Sequence, residues 1–136
     1  MKRTASAIWK GSGKEGKGVL TTQSKLLENT PYSYSSRFEQ GQGTNPEELV
    51  AAAHAGCFAM KLSFVLQAAG FTADTLDVQA EVTLEDGVLT TSHLTLSAKI
   101  PGISQEKFKE SADDAKANCP ISKSIKSAIT LDAKLV

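Results

Sequence analysis

The segment NPEELVAAAHAGCFAMKLSFVLQAAG, residues 45–70, constrains the fold of this chain more than any other. Asn45 is suited to an N-cap, and Pro46, which lacks an N–H, fits the first helical position. Glu47 and Glu48 then fall where the helix dipole is positive, and Gly70 is a natural stop. The pattern predicts one helix over 46–69, a rod of about 36 Å at about 1.5 Å per residue. Between Val50 and Met60 only His54 is polar, so this stretch is expected to be enclosed on nearly all sides. Ala51, Ala52, Ala53, Ala55, Gly56 and Ala59 would let a second helix come close. Mid-helix glycine costs about 1 kcal/mol relative to alanine, so close packing is the expected role of Gly56.

Around this central helix the pattern is mainly strand. TASAIWKG and KGVLTTQS read as strands joined by the glycine-rich turn GSGKEG. In PYSYSSRF, Tyr32, Tyr34, Ser36 and Phe38 alternate with Ser33, Ser35 and Arg37, a period of two that reads as a strand with Arg37 facing away from a core. LDVQAEVTL, the turn EDG and VLTTSHLTLSAKI form a hairpin pattern. Ser104 is a candidate N-cap for a helix lined by Phe108, Ala112 and Ala115, and Pro120 is a candidate first residue of another. AITLDAKLV closes the chain as a strand. With no repeat or linker, residues 1–136 are expected to form a single domain of α+β class, mainly antiparallel.

Composition narrows the function. Fifteen basic and fifteen acidic residues cancel, and aromatic residues are 6% of the chain, so neither a nucleic acid nor a membrane surface is an expected partner. The basic N-terminus leads into no apolar stretch, and the run from Val50 to Met60 is shorter than the roughly 20 residues that span a bilayer. A cytoplasmic location is expected. There, two cysteines point to catalysis, redox switching, metal binding or packing rather than to a permanent staple.

The residues leave these alternatives open. Cys119 precedes Pro120 and so falls at a helix N-cap, where free amides and the dipole favour a thiolate. Cys57 is mid-helix among apolar residues, which raises a thiol pKa; a reactive Cys57 would need a cation, and Arg37 is the candidate. His54 and Cys57 share a helix face, and with His93 and Cys119 they could in principle supply four zinc ligands, but their spacing matches no zinc pattern. His54 is better read as a hydrogen-bonded core residue. GSGKEGKG lacks the ending of a phosphate-binding loop.

RFEQGQGTNPEELVAAAHAGCF together with the distant NCPISKS closely resembles the osmotically inducible protein C (OsmC) family, relatives of the organic hydroperoxide resistance (Ohr) proteins. The resemblance covers essentially the whole chain. Its specific parts are Asn45 to Leu49, Cys57-Phe58 and Cys119-Pro120, and Arg37 just before the loop marks the OsmC branch rather than the Ohr branch. It implies an OsmC-like fold, an intertwined homodimer with active sites at the interface, and a thiol-dependent peroxidase serving oxidative and osmotic stress defence. It further implies that Cys57 attacks an organic hydroperoxide, or more weakly hydrogen peroxide, to give a sulfenic acid. Arg37, oriented by Glu47, would hold the thiolate; Cys119 would close an intrachain disulfide; an external dithiol would reduce it. Phe58 and its neighbours would form an apolar wall for the substrate tail. No cofactor or metal is required. A dimer that binds a small apolar ligand, with inert cysteines, is the non-enzymatic alternative.

Overall fold

The computed structural model describes all residues, Met1–Val136, as two compact units, Met1–Leu49 and Val50–Val136. In the first unit, β1 (Ala5–Lys10), β2 (Lys17–Thr22) and β3 (Thr30–Tyr32) form an antiparallel sheet in that order. Gly18 is needed on β2, because a Cβ there would lie 2.4 Å from the Tyr32 ring and 2.6 Å from that of Trp9. The stretch after Tyr32 does not continue as a strand. Tyr34–Phe38 is a short helix, α1, because Ser33 and Ser36 cap it reciprocally. Ser33 Oγ accepts from the Ser36 amide at 3.2 Å and Ser36 Oγ accepts from the Ser33 amide at 2.8 Å. These local bonds outweigh the period-two pattern.

Helix α2 runs unbroken from Pro46 to Ala68, 23 residues. Its start is capped as the sequence indicates, the Glu48 amide donating to Asn45 Oδ1 at 2.8 Å. Its end turns through Gly70 at φ +86, with the Phe71 amide returning to the Leu66 carbonyl at 2.9 Å.

The second unit is a sheet of β4 (Thr75–Glu85), β5 (Val88–Lys99) and β6 (Ala128–Leu135), with β4 antiparallel and β6 parallel to the central β5. Asp86 and Gly87, both at positive φ, close the β4–β5 hairpin. The parallel β5–β6 pair needs a crossover, supplied by α3 (Gln105–Asn118) and α4 (Pro120–Ser124). Leu94, Leu96 and Ala98 of β5 pack with Phe58, Leu62 and Leu66 of α2 and with Phe108, Ala112 and Ala115 of α3. That is the core, and the architecture is the expected α+β with mainly antiparallel pairing.

Helix α2 is not enclosed on nearly all sides. Its buried residues are His54, Phe58, Leu62 and Leu66, a single stripe at four-residue spacing. On other faces Met60 is 64% exposed and Phe64 61%. A Cβ on Gly56 would meet open space, so no close approach is made there within the chain. The whole helix is also long and apolar enough to cross a bilayer, with a mean hydropathy of 1.7 in its best window, which the Val50–Met60 run alone did not indicate. Its buried stripe is instead packed on β5 and α3.

Leu62→Ala should destabilise the protein by about 2–5 kcal/mol, the range for emptying a fully buried leucine site. Met60→Ala should cost far less in a monomer. Urea unfolding of both variants at matched protein concentration checks the contrast.

Candidate active site

The segment between α1 and α2 is tied down by short polar bonds. The buried Ser36 hydroxyl donates to the Thr44 carbonyl at 2.8 Å, and Asn45 Nδ2 donates to the Ser36 carbonyl at 3.0 Å. Thr44 Oγ1 donates to Glu48 Oε1 at 2.6 Å. These bonds bring Arg37 on α1 against Glu47 in the first turn of α2. The contact has two points, Nε to Oε2 at 3.2 Å and Nη2 to Oε1 at 2.5 Å, the geometry a planar guanidinium offers a carboxylate. The hydrogen bond to Arg37 lowers the Glu47 pKa, burial opposes it, and Arg37 is held still more firmly charged. The Arg37 guanidinium also lies over the Phe38 ring, 4.9 Å from its centroid. Trp9, Tyr32, Tyr34, Arg37 and Phe38 line a cavity of about 280 Å³.

In the second unit Cys57 is half-buried on α2, and Cys119 is fully buried where α3 passes into α4; both are free thiols. The two side chains interact. Burial pushes the Cys57 thiol up, a hydrogen bond with Cys119 pushes it further, and the backbone of Ile121 draws it back. Cys119 is the N-cap residue of α4 with Pro120 following, as expected, but its side chain caps nothing.

His54 is wholly buried, with Nδ1 2.6 Å from Ser92 Oγ on β5 and Nε2 2.7 Å from Ser122 Oγ on α4. Burial lowers its pKa, favouring the neutral ring. It is a hydrogen-bonded core residue, as its position suggested. His93 alternates with Ser92 along β5, so it lies on the opposite face of the strand, with Nδ1 2.7 Å from Thr130 Oγ1 and Nε2 3.3 Å from Asp132. The four candidate zinc ligands are therefore not gathered. Phe58 is 0% exposed within the core and cannot wall a substrate pocket; the aromatic residues around Arg37 do line a cavity. Sequence reading missed Ser92 and Ser122. Ser92 carried a usable signal, a polar residue in the inward set Ser92, Leu94, Leu96, Ala98.

Residues 39–134 match the family described as OsmC-like protein. The chain is 42% identical over 137 aligned residues to Peroxiredoxin OsmC of Escherichia coli, covering 98% of this chain and 96% of that protein. It is 27% identical to Organic hydroperoxide resistance protein OhrB of Bacillus subtilis over 87% of this chain and 88% of that one. The crystal structure of OhrB superimposes with a TM-score of 0.67 at 25% identity, covering 98% of each chain. An OsmC-like protein from Mycoplasma pneumoniae, 15% identical over 100% of this chain and 98% of its own, gives a TM-score of 0.77 and shares the fold. The chain belongs to the OsmC family.

The Arg37–Glu47 contact sets a pH dependence. The Glu47 pKa is lower in the folded protein than its ordinary 4.5, so its contribution to stability is present above about pH 4.5. That contribution is lost as pH falls through the lower folded value. Glu47→Gln should flatten this acid limb of a stability–pH curve measured by thermal melting. Cys119→Ala removes a group that raises the Cys57 pKa, so the midpoint for Cys57 alkylation should move to lower pH.

Proposed function

We propose that this protein is a cysteine-based peroxidase that reduces organic hydroperoxides, and hydrogen peroxide more weakly, to alcohols. The observation that carries the proposal is the contact between the Cys57 and Cys119 thiols at the start of α4. The names of its relatives, Peroxiredoxin OsmC and Organic hydroperoxide resistance protein OhrB, support the same chemistry. The Cys57 thiolate attacks one peroxide oxygen, the O–O bond breaks, the alcohol leaves, and Cys57 becomes a sulfenic acid. Cys119 then attacks the Cys57 sulfur, forming an intrachain disulfide and releasing water. An external dithiol returns both to thiols by exchange.

The raised Cys57 pKa makes a cation necessary at neutral pH, and the proposed cation is Arg37, aligned by Glu47. It would also stabilise charge developing on the peroxide oxygens, with Trp9, Tyr32, Tyr34 and Phe38 receiving the apolar tail. Because α2 is unbroken, Glu47 and Cys57 are separated by about 15 Å of rise and lie on different faces of it. A homodimer in which Arg37 and Glu47 of one chain complete the thiol site of its partner meets that constraint. Two further features favour a partner. The residues that make up the hydrophobic core all come from the second unit, and every residue of β1 is exposed. Met60 and Phe64 also leave an apolar face on α2.

Cys57→Ser should abolish peroxide consumption, whereas Cys119→Ser should consume about one equivalent and stop at oxidised sulfur. Intact mass after one equivalent of cumene hydroperoxide distinguishes them, and equal behaviour would overturn the assigned roles. Equal, slow oxidation of both thiols in the unmodified protein would favour an apolar-ligand-binding dimer instead. Exchange of subunits between Cys57→Ser and Arg37→Met proteins should restore activity, because one site of each heterodimer is then intact. Activity that stays absent after proven exchange would place the whole site within one chain.

A further inference from the structure

His54 and Cys57 lie three residues apart on α2, and Cys119 and Ser122 lie three apart across the start of α4. Both spacings bring their two side chains to one face. The contacts cross between the segments in antiparallel order, Cys57 with Cys119 and His54 with Ser122. The thiol pair and the imidazole–hydroxyl pair are thus neighbouring rungs of one seam. Only the thiol rung changes during the proposed reaction.

We propose that His54 is a positioning residue for disulfide formation, holding the Cys119–Ser124 segment against α2 through Ser122 so that Cys119 stays in reach of Cys57. The proposal rests on the thiol-pair reading given above. In the step concerned, the Cys119 sulfur attacks the Cys57 sulfenic sulfur, the S–S bond forms and the S–O bond breaks. The departing hydroxide and the proton lost by Cys119 make water. Cys119 is oxidised and Cys57 is reduced from sulfenic acid to disulfide. A disulfide tolerates a Cα separation of only about 4.4–6.8 Å, and displacement of a reacting group by about 1 Å can cost about a hundredfold in rate. The α4 segment is five residues long with no fully buried residue, and its apolar hold on the core, through Ile121 and the buried Cys119 before it, fixes no direction. The bond from Ser122 to His54 adds a directional hold. His54 is in turn fixed to the sheet by Ser92, so the reference point is β5. Both partners are hydroxyls that donate or accept, so a neutral ring satisfies the chain of three in either tautomer.

While Cys57 is a sulfenic acid, two fates compete: capture by Cys119, or attack on a second peroxide to give sulfinic acid. Loosening the hold should slow the first without touching the second. The seam therefore decides how much peroxide the protein withstands.

The test compares His54→Leu, His54→Gln and Ser122→Ala with unmodified protein under stopped flow with cumene hydroperoxide. Sulfenic acid is trapped with dimedone, and mass spectrometry quantifies disulfide and sulfinic acid. Disulfide formation should slow about tenfold or more in His54→Leu and Ser122→Ala, with first-step consumption within about threefold of normal and more sulfinic acid at excess peroxide. His54→Gln, whose amide can still meet Ser122, should recover part of the rate. A general loss of structure would depress both steps together and would not be relieved by glutamine. If Ser122→Ala, the smallest change, is folded by thermal melting and forms disulfide at the normal rate, the proposal is overturned. If unmodified protein consumes peroxide but forms no Cys57–Cys119 disulfide, the peroxidase mechanism itself fails, which is a separate result.

Discussion

The buried stripe His54, Phe58, Leu62 and Leu66 fixes the rotation of α2 about its own axis, and the hydrogen bonds of His54 to Ser92 and Ser122 are its one polar constraint. A buried imidazole without partners would cost several kcal/mol by order of magnitude, so the helix settles where both ring nitrogens are met. With His54 facing β5, four-residue steps bring Phe58, Leu62 and Leu66 into the core beside Leu94, Leu96 and Phe108. Cys57 is one position, about 100°, from this stripe, and so lies at the edge of the core and half-buried. A cysteine at position 58 would be sealed in.

This edge position explains the electrostatics of the thiol. Burial and the neighbouring Cys119 both favour its neutral form, and one backbone contact from Ile121 opposes them. Such a thiol is poorly ionised alone, and in the proposed mechanism a cation brought to it activates it. In the proposed site the first unit supplies that cation. Ser33, Ser36, Thr44 and Asn45 lock the loop so that Arg37 meets Glu47 through two nitrogens, leaving the guanidinium oriented as well as charged. In the proposed dimer each chain holds a nucleophile on one unit and an activator on the other, which makes assembly a condition of activity.

The elements were largely legible because their signals are local. Asn45, Pro46 and Gly70 bound α2, Asp86 and Gly87 turn the β4–β5 hairpin, and Ser104 begins α3 through its bond to the Lys107 amide. The misread stretch, Tyr34–Phe38, had two competing local patterns, and reciprocal serine caps satisfy backbone groups that an unpaired strand would leave open. The cover of α2 was misjudged for another reason. An apolar run reports that burial is favourable, not which surface provides it, and within this chain β5, α3 and the start of α4 cover one stripe alone.

The sequence by itself determined the helix carrying Cys57, the cap position of Cys119, the family, and the pairing of residue types suited to thiol chemistry. These depend on neighbours within a few residues or on motifs kept intact. Only the tertiary structure decided that His54 is clasped by Ser92 and Ser122, that Cys57 meets Cys119, and that Phe58 belongs to the core while Trp9, Tyr32, Tyr34 and Phe38 surround Arg37. Ser92 and Ser122 lie 38 and 68 residues from His54 along the chain. Nothing in the spacing of such residues encodes their meeting; it arises when sheet and helices bury apolar surface and the polar groups carried inward must find partners.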